Sequence, residues 1–330
     1  MMGVKGVAAP KSEKGSSLKY HIIRRILLAI PIALAVMTFV FVIVRVLPGD
    51  PAITILGNDA SSEALAELRN QLGLNYPLWE QYVFFVRDIL RFDFGQSMIS
   101  RVPVAQMIKR ALPYTVDLVF ASMLISVLIG IPLGIATAMR RNQAFDYFGR
   151  LIALLGLSIP DFFLGILFML LFSVTLQWLP LMGGGDLDRW GSRLAHLILP
   201  ACTLGFMVAA FITRMTRSTM LEVLRQQYIK TAHAKGQYEN VVIYKHALRN
   251  ALIPIITVVG IYLNVLLGGT VLIETVFNRP GLGKLIVGAI MQRDYVVLQS
   301  VLMIFSIFIV LVNLIIDLLY RVVDPRIRTR

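Results

Sequence analysis

LVFASMLISVLIGIPLGIATAM (118–139) carries no charged side chain over its whole length. At helical rise such a run crosses the ~30 Å of bilayer hydrocarbon, which needs about 20 residues. Lipid offers no partner to a backbone N–H or C=O, so a run of this kind must be helical. Five more runs of the same character occur at 26–44, 151–179, 194–213, 251–273 and 295–316. Asp161 in the third run and His196 in the fourth are their only acidic or imidazole side chains. The fold class implied is an all-α polytopic membrane protein with six transmembrane helices. Composition agrees, with 57% of the 330 residues apolar and 15% charged, against ~25% charged in ordinary soluble domains. The single cysteine, Cys202, excludes an intramolecular disulfide and argues against thiolate metal ligation. The first run has the basic start Arg24-Arg25 and a small-residue box at 33–35, as a signal peptide does. Its apolar stretch continues to Val44 without a polar break, which favours an uncleaved span.

Six spans put both termini on one side. That side (1–25, 140–150, 214–249 and 321–330) holds twenty Lys and Arg, and the other (48–112, 178–193 and 276–296) holds eleven. The richer side is cytoplasmic by the positive-inside rule. The net charge of +13 is then mostly topology, and no nucleic-acid partner is expected. The organisation read from this is a polar tail (1–20), a first span (21–47), an extended extracytoplasmic segment (48–112), a core of five spans (113–325) and a short tail (326–330). The core includes a cytoplasmic loop at 214–250. Within 48–112, Ser61-Ser62 can cap a short helix ended by Gly73, and Pro77 can open a second at 78–92. The aromatic face of that second helix suits membrane lipid at the headgroup level, or a binding role.

Catalytic and cofactor motifs are missing. NRPGLGKL (278–285) has a Gly-Lys but puts Asn278 and Leu285 where a P-loop needs Gly and Ser or Thr. Ser158 lacks the Gly-x-Ser-x-Gly elbow of a hydrolase, and there is no His-Glu-x-x-His. The chain is expected to be neither an enzyme nor the holder of a metal or cofactor. Asp161 lies eleven residues beyond Arg150, about 16 Å along a straight helix and so near mid-bilayer. It reads either as a pathway residue or as a structural aspartate bonded to a neighbouring helix. Asn264 stands one turn before Gly268-Gly269, which let another helix approach closely. It is the second pathway candidate. Asp317 and Arg321 read as a helix-end pair.

One stretch breaks the apolar pattern: KTAHAKGQYENVVIYKHALRNALIP (230–254). A short helix over 228–235 can end at Gly236 in the left-handed cap position. A second helix with Val241, Tyr244/Lys245 and Leu248 on one side then runs into the fifth span past Pro254. DNA reading needs a freely projecting recognition helix, and this one is tethered at both ends. Metal binding needs His233 and His246 brought together across the glycine. A docking surface suits the small residues best, with a plain basic anchor as the alternative.

Short helix, glycine, second helix and span proline together resemble the cytoplasmic loop of ABC importer permeases. That loop usually begins Glu-Ala-Ala, where this chain has Lys230-Thr231-Ala232. The basic start and the longer interval from Gly236 to Pro254 resemble the dipeptide/oligopeptide/nickel branch of the family. RVLPGDPA (45–52), DFGQS (93–97), PVAQMIKRALPYTVDL (103–118), SIPDFFLG (158–165), VFNRPGLGKLIVGAIMQRDYVVLQ (276–299) and DPRIR (324–328) are similar to strings of that branch. The resemblance implies a type I importer permease architecture in the bacterial cytoplasmic membrane. It implies that Lys230, Thr231, Ala232, His233, Ala234, Lys235 and Gly236 couple to a separate ATPase. The partners implied are a second, paralogous permease, two ATP-binding subunits and an extracytoplasmic solute-binding protein. The cargo implied is short peptides, with glutathione or nickel as alternatives. A stand-alone proton-coupled carrier and an intramembrane hydrolase are the competing readings.

Overall fold

The computed structural model describes residues 27, 30–32, 34–43, 51–57, 60–71, 73–186 and 188–323. The polar tail at 1–20, the ends of the first apolar run, most of RVLPGDPA and the DPRIR string lie outside them. So do the side chains of Asp317 and Arg321.

The described residues form helices joined by loops, with one isolated β-bridge between Gln96 and Pro103. In chain order they form α1 (Ile30–Ile43), α2 (Pro51–Leu56), α3 (Ser62–Gln71), α4 (Leu78–Leu90), α5 (Val104–Met139), α6 (Ala144–Ser158) and α7 (Asp161–Phe168). There follow α8 (Trp190–Val223), α9 (Gln227–Ala234), α10 (Leu248–Val276), α11 (Leu282–Gln292) and α12 (Tyr295–Val323). Two π-helical turns, π1 (Met169–Thr175) and π2 (Val241–Ala247), continue α7 and lead into α10. Among the described residues four helices are long and apolar enough to cross a membrane: α5, α8, π2 with α10, and α12. The bent pair α6–α7 makes a fifth.

The core is built on α5 against α8. Gly130 and Gly134 of α5 lie so close to α8 that an added Cβ would come within 2.8 Å of Ile212 and 2.5 Å of Thr216. Gly205 of α8 repays the fit, its Cβ position lying 2.7 Å from the Ser122 carbonyl. Small residues bring two backbones together in this way where the hydrophobic effect cannot drive association. Ser126 then donates its hydroxyl to the Ser122 and Gly205 carbonyls, at 2.7 and 2.8 Å.

One expectation needs correcting. The third apolar run does not form one straight helix: α6 and α7 meet at 107°. Proline drives its predecessor out of the helical region, and Ile159 is extended (φ −88°, ψ 123°) before Pro160. Asp161 therefore opens a new helix, and a depth counted along a straight rod does not apply to it. The second apolar run lies within a longer helix, since α5 begins at Val104. Pro113 and Pro132 lie inside it. Elsewhere local signals held. Ser61 Oγ accepts the Ala64 N–H at 3.2 Å at the head of α3, Gly73 takes φ +66°, and α4 follows Pro77.

Candidate coupling site and transport path

The short helix α9 joins α8 to π2. Ile229, 1% exposed, and Ala232 point inward onto Met220, Val242, Ala247 and Ile255. Lys230, Thr231, His233, Ala234 and Lys235 are exposed. Gly236 ends the helix at φ +71°, and its N–H donates to the His233 carbonyl at 2.9 Å. The following turn is pinned by Gln237, whose side-chain oxygen lies 2.7 Å from His246 Nε2. Asn250 Nδ2 donates to the Tyr228 hydroxyl at 2.7 Å, tying α10 back to α9. The two histidines are not brought together: His233 Nδ1 sits 3.1 Å from the Ile229 carbonyl. Among the described residues no group of three His, Cys, Asp or Glu is placed to hold a metal. The second loop helix opens as the π2 turn. Its inward residues are Val242, Ile243 and Ala247, while Tyr244 is exposed. A π turn advances by more residues than an α turn, so the face it buries does not follow 3.6-residue spacing.

At the same end of the bundle Asp146, fully buried, accepts two hydrogen bonds from Arg217, at 2.7 and 2.8 Å. The Asn142 N–H adds a third at 3.0 Å, and Arg150 stands 3.6 Å away. This pairing fixes α6 to α8 a few residues before α9 begins. No motif or spacing in the sequence marks this pair. The available signal was one acid, Asp146, in a loop otherwise rich in arginine.

The opposite end carries a second buried network. Glu274, at the end of α10, accepts Thr115 Oγ1 at 2.6 Å and the Gly283 and Lys284 N–H groups at 2.7 and 3.2 Å. Its carboxylate thus caps α11, where the helix dipole favours negative charge. The glycines of NRPGLGKL make room for it: a Cβ on Gly281 would sit 2.3 Å from the carboxylate. Alongside, Arg193 makes a two-pronged pair with Asp117, both contacts 2.6 Å. Arg279, fully buried, reaches Asp117 at 3.7 Å and donates to the Tyr114 carbonyl at 3.2 Å. Burial pushes its pKa below the ordinary value, while Asp117 and Glu274 pull it back.

The pathway candidates fall on separate elements, and no hydrogen bond joins them. Asp161 heads α7 with no ion pair or hydrogen-bond partner for its side chain among the described residues. Asn264 Nδ2 donates to Asn313 Oδ1 at 2.8 Å, bridging α10 and α12. Ser158 Oγ is committed to the Leu154 carbonyl at 2.9 Å, which leaves the hydrolase reading without an activated nucleophile.

Residues 130–329 match the family of the binding-protein-dependent transport system inner membrane component, and residues 18–119 match the N-terminal part of such membrane components. The chain belongs to this permease family. It is 42% identical to the dipeptide transport system permease protein DppB of Alkalihalophilus pseudofirmus over 329 residues, covering 93% of this chain and 99% of the relative. It is 44% identical to the glutathione transport system permease protein GsiC of Salmonella typhimurium over 308 residues, with 93% and 98% covered. The Escherichia coli K12 protein of the same name is 42% identical over 308 residues, with 93% and 98% covered. Two chains solved in inward facing conformations of the MetNI methionine ABC transporter share the fold, with TM-scores of 0.54 and 0.57 at 23% and 22% identity. Each match covers 67% of this chain and 98% of the solved one. The permease is thus a multi-pass component of a bacterial inner membrane ABC transporter that works with an ATPase and a binding protein. It is a transport subunit, not a catalyst.

Proposed function

We propose that this permease imports short peptides, coupled to ATP hydrolysis on separate subunits through α9. The observation that supports coupling is the rigid seating of α9: Ile229 and Ala232 anchor it inward, so Lys230, Thr231, His233, Ala234 and Lys235 form an outward face. Gly236 sets the angle between that face and the span behind it. In this reading the chain has six spans, α1 being part of the first, with both termini cytoplasmic. Residues 48–112 form the extracytoplasmic segment, 113–325 the core, and 1–20 and 326–330 the tails, with 21–47 as first span. Its partners are one paralogous permease, two ATP-binding subunits and the solute-binding protein. Asp161, unpartnered at the head of α7, lines the path; Asn264 holds α10 to α12 beside it.

Cargo follows the relatives. DppB and GsiC resemble the chain almost equally, and glutathione is itself a tripeptide, so a glutathione importer is the second reading. Reconstituting the whole importer in proteoliposomes with labelled dipeptide and labelled glutathione separates the two. The coupling assignment is tested there with Ala234→Glu and Gly236→Pro. Proline cannot supply the N–H or the positive φ found at Gly236. Both variants should insert normally and lose at least about tenfold in uptake, a deficit of roughly 1.4 kcal/mol in coupling. Uptake at the parental rate would remove α9 from the coupling role.

A further inference from the structure

A cavity of about 880 Å³ opens between α5, α11 and the 185–188 loop, beside the Glu274 network. Small-molecule sites run from ~300 to 1,000 Å³, so the space accommodates a di- or tripeptide. Its apolar lining comes from Met107, Leu285, Ala289 and Val297. Five charged side chains stand at its walls: Arg110 of α5, Lys284 of α11, Asp186 and Asp188 of the loop, and Asp294 just before α12.

Three of these charges are already engaged, Asp294 through the Ser97 hydroxyl. Lys284 Nζ donates to Asn278 Oδ1. Asp186 lies 3.6 Å from Arg189 and accepts the Asp188 N–H at 3.0 Å. Arg110 and the Asp188 carboxylate have no hydrogen bond or ion pair among the described residues. One free cation and one free anion therefore flank an apolar chamber, the complement of a molecule with a carboxylate at one end and an ammonium at the other. We propose that this cleft seats a short zwitterionic peptide, its α-carboxylate on Arg110 and its α-ammonium on Asp188. The proposal rests on the peptide-import reading and adds a cargo site within the permease itself.

The walls are held in place before any ligand arrives, which lowers the entropic cost of binding. Tyr114 OH donates to the Gly185 carbonyl at 3.1 Å, fixing the loop to α5. Ser97 Oγ donates to Asp294 Oδ2 at 2.5 Å, and Glu274 fixes the start of α11. Arginine offers the carboxylate a planar two-pronged donor that a lysine does not. On α11, Gly288 lines the cavity, and a Cβ there would meet nothing within 4 Å. A large side chain at 288 would therefore start from open space and extend into the chamber.

The test uses the intact importer in nanodiscs, with the partner permease and ATPases but without binding protein. The probe is the photoreactive dipeptide alanyl-benzoylphenylalanine, with trialanine as competitor. Labelling should map to 107–114 or 282–292, be displaced by trialanine, and vanish in Gly288→Phe at unchanged thermal stability. Arg110→Ala should weaken labelling by on the order of tenfold, and far less when the probe carries a C-terminal amide. Labelling outside these segments, or persisting in Gly288→Phe, overturns the inference. So does loss of binding-protein capture in Gly288→Phe with peptide labelling intact, which would make the cleft a protein-docking surface. If the assembled importer takes up dipeptides while the cleft stays unlabelled, only the cleft assignment falls. If it takes up none even with binding protein, the peptide reading falls with it.

Discussion

Gly281 and Gly288 both line the cleft from α11 and have opposite tolerances. A methyl group at Gly281 would meet the Glu274 carboxylate at 2.3 Å, whereas at Gly288 it would meet open space. Gly281→Ala should force that carboxylate off the α11 N–H groups, at a cost of about 1–3 kcal/mol from overpacking and lost capping. Gly288→Ala should be neutral or slightly stabilising, because alanine is the better helix former. Unfolding midpoints in detergent check both, and an unshifted midpoint for Gly281→Ala would show that the carboxylate does not hold α11. At this scale the sequence was half legible. Gly236 and Gly73 announced their left-handed turns, since their position after a helical run is a local matter. Glu274 with Thr115, and Asp146 with Arg217, were not legible: the partners lie 159 and 71 positions apart. Only the packing order of the helices tells which acid meets which donor.

Individual helices were easier to find than their shapes. The apolar runs located α5, α8, α10 and α12, because membrane spans must be helical and uninterrupted. The bend between α6 and α7 was written in Ile159-Pro160, yet a hydropathy count runs straight across it. The π2 turn had no signal in residue type at all. That turn suggests a deletion. Removing Tyr244, an exposed residue within π2, should let the segment recoil as α-helix and swing α9 by about 100° relative to α10. Such a variant should insert and pair with its partner permease but import nothing, as measured by uptake in proteoliposomes. Normal import would mean that the π geometry is incidental to coupling.

For the molecule as a whole, charge asymmetry predicts which end of the bundle faces the cytoplasm, and the lone cysteine makes this easy to test. Cys202→Ser gives a cysteine-free background. Cysteines placed singly at exposed Ala234 and Ser100 should then react with a membrane-impermeant maleimide from opposite sides. The Ala234→Cys variant should label only in inside-out vesicles and Ser100→Cys only in intact spheroplasts. Labelling of both from one side would break the proposed topology.

The burial of Glu274 under α11 also bears on selectivity among ions. A helix N-terminus opened by glycines ordinarily collects whatever small anion the medium supplies, and here the occupant is covalently part of the chain. Inorganic phosphate and sulfate, abundant around any cell envelope, find those amides taken and cannot compete there. Discrimination at that end is left to side chains alone, which can favour an organic molecule of the right length over a mineral ion.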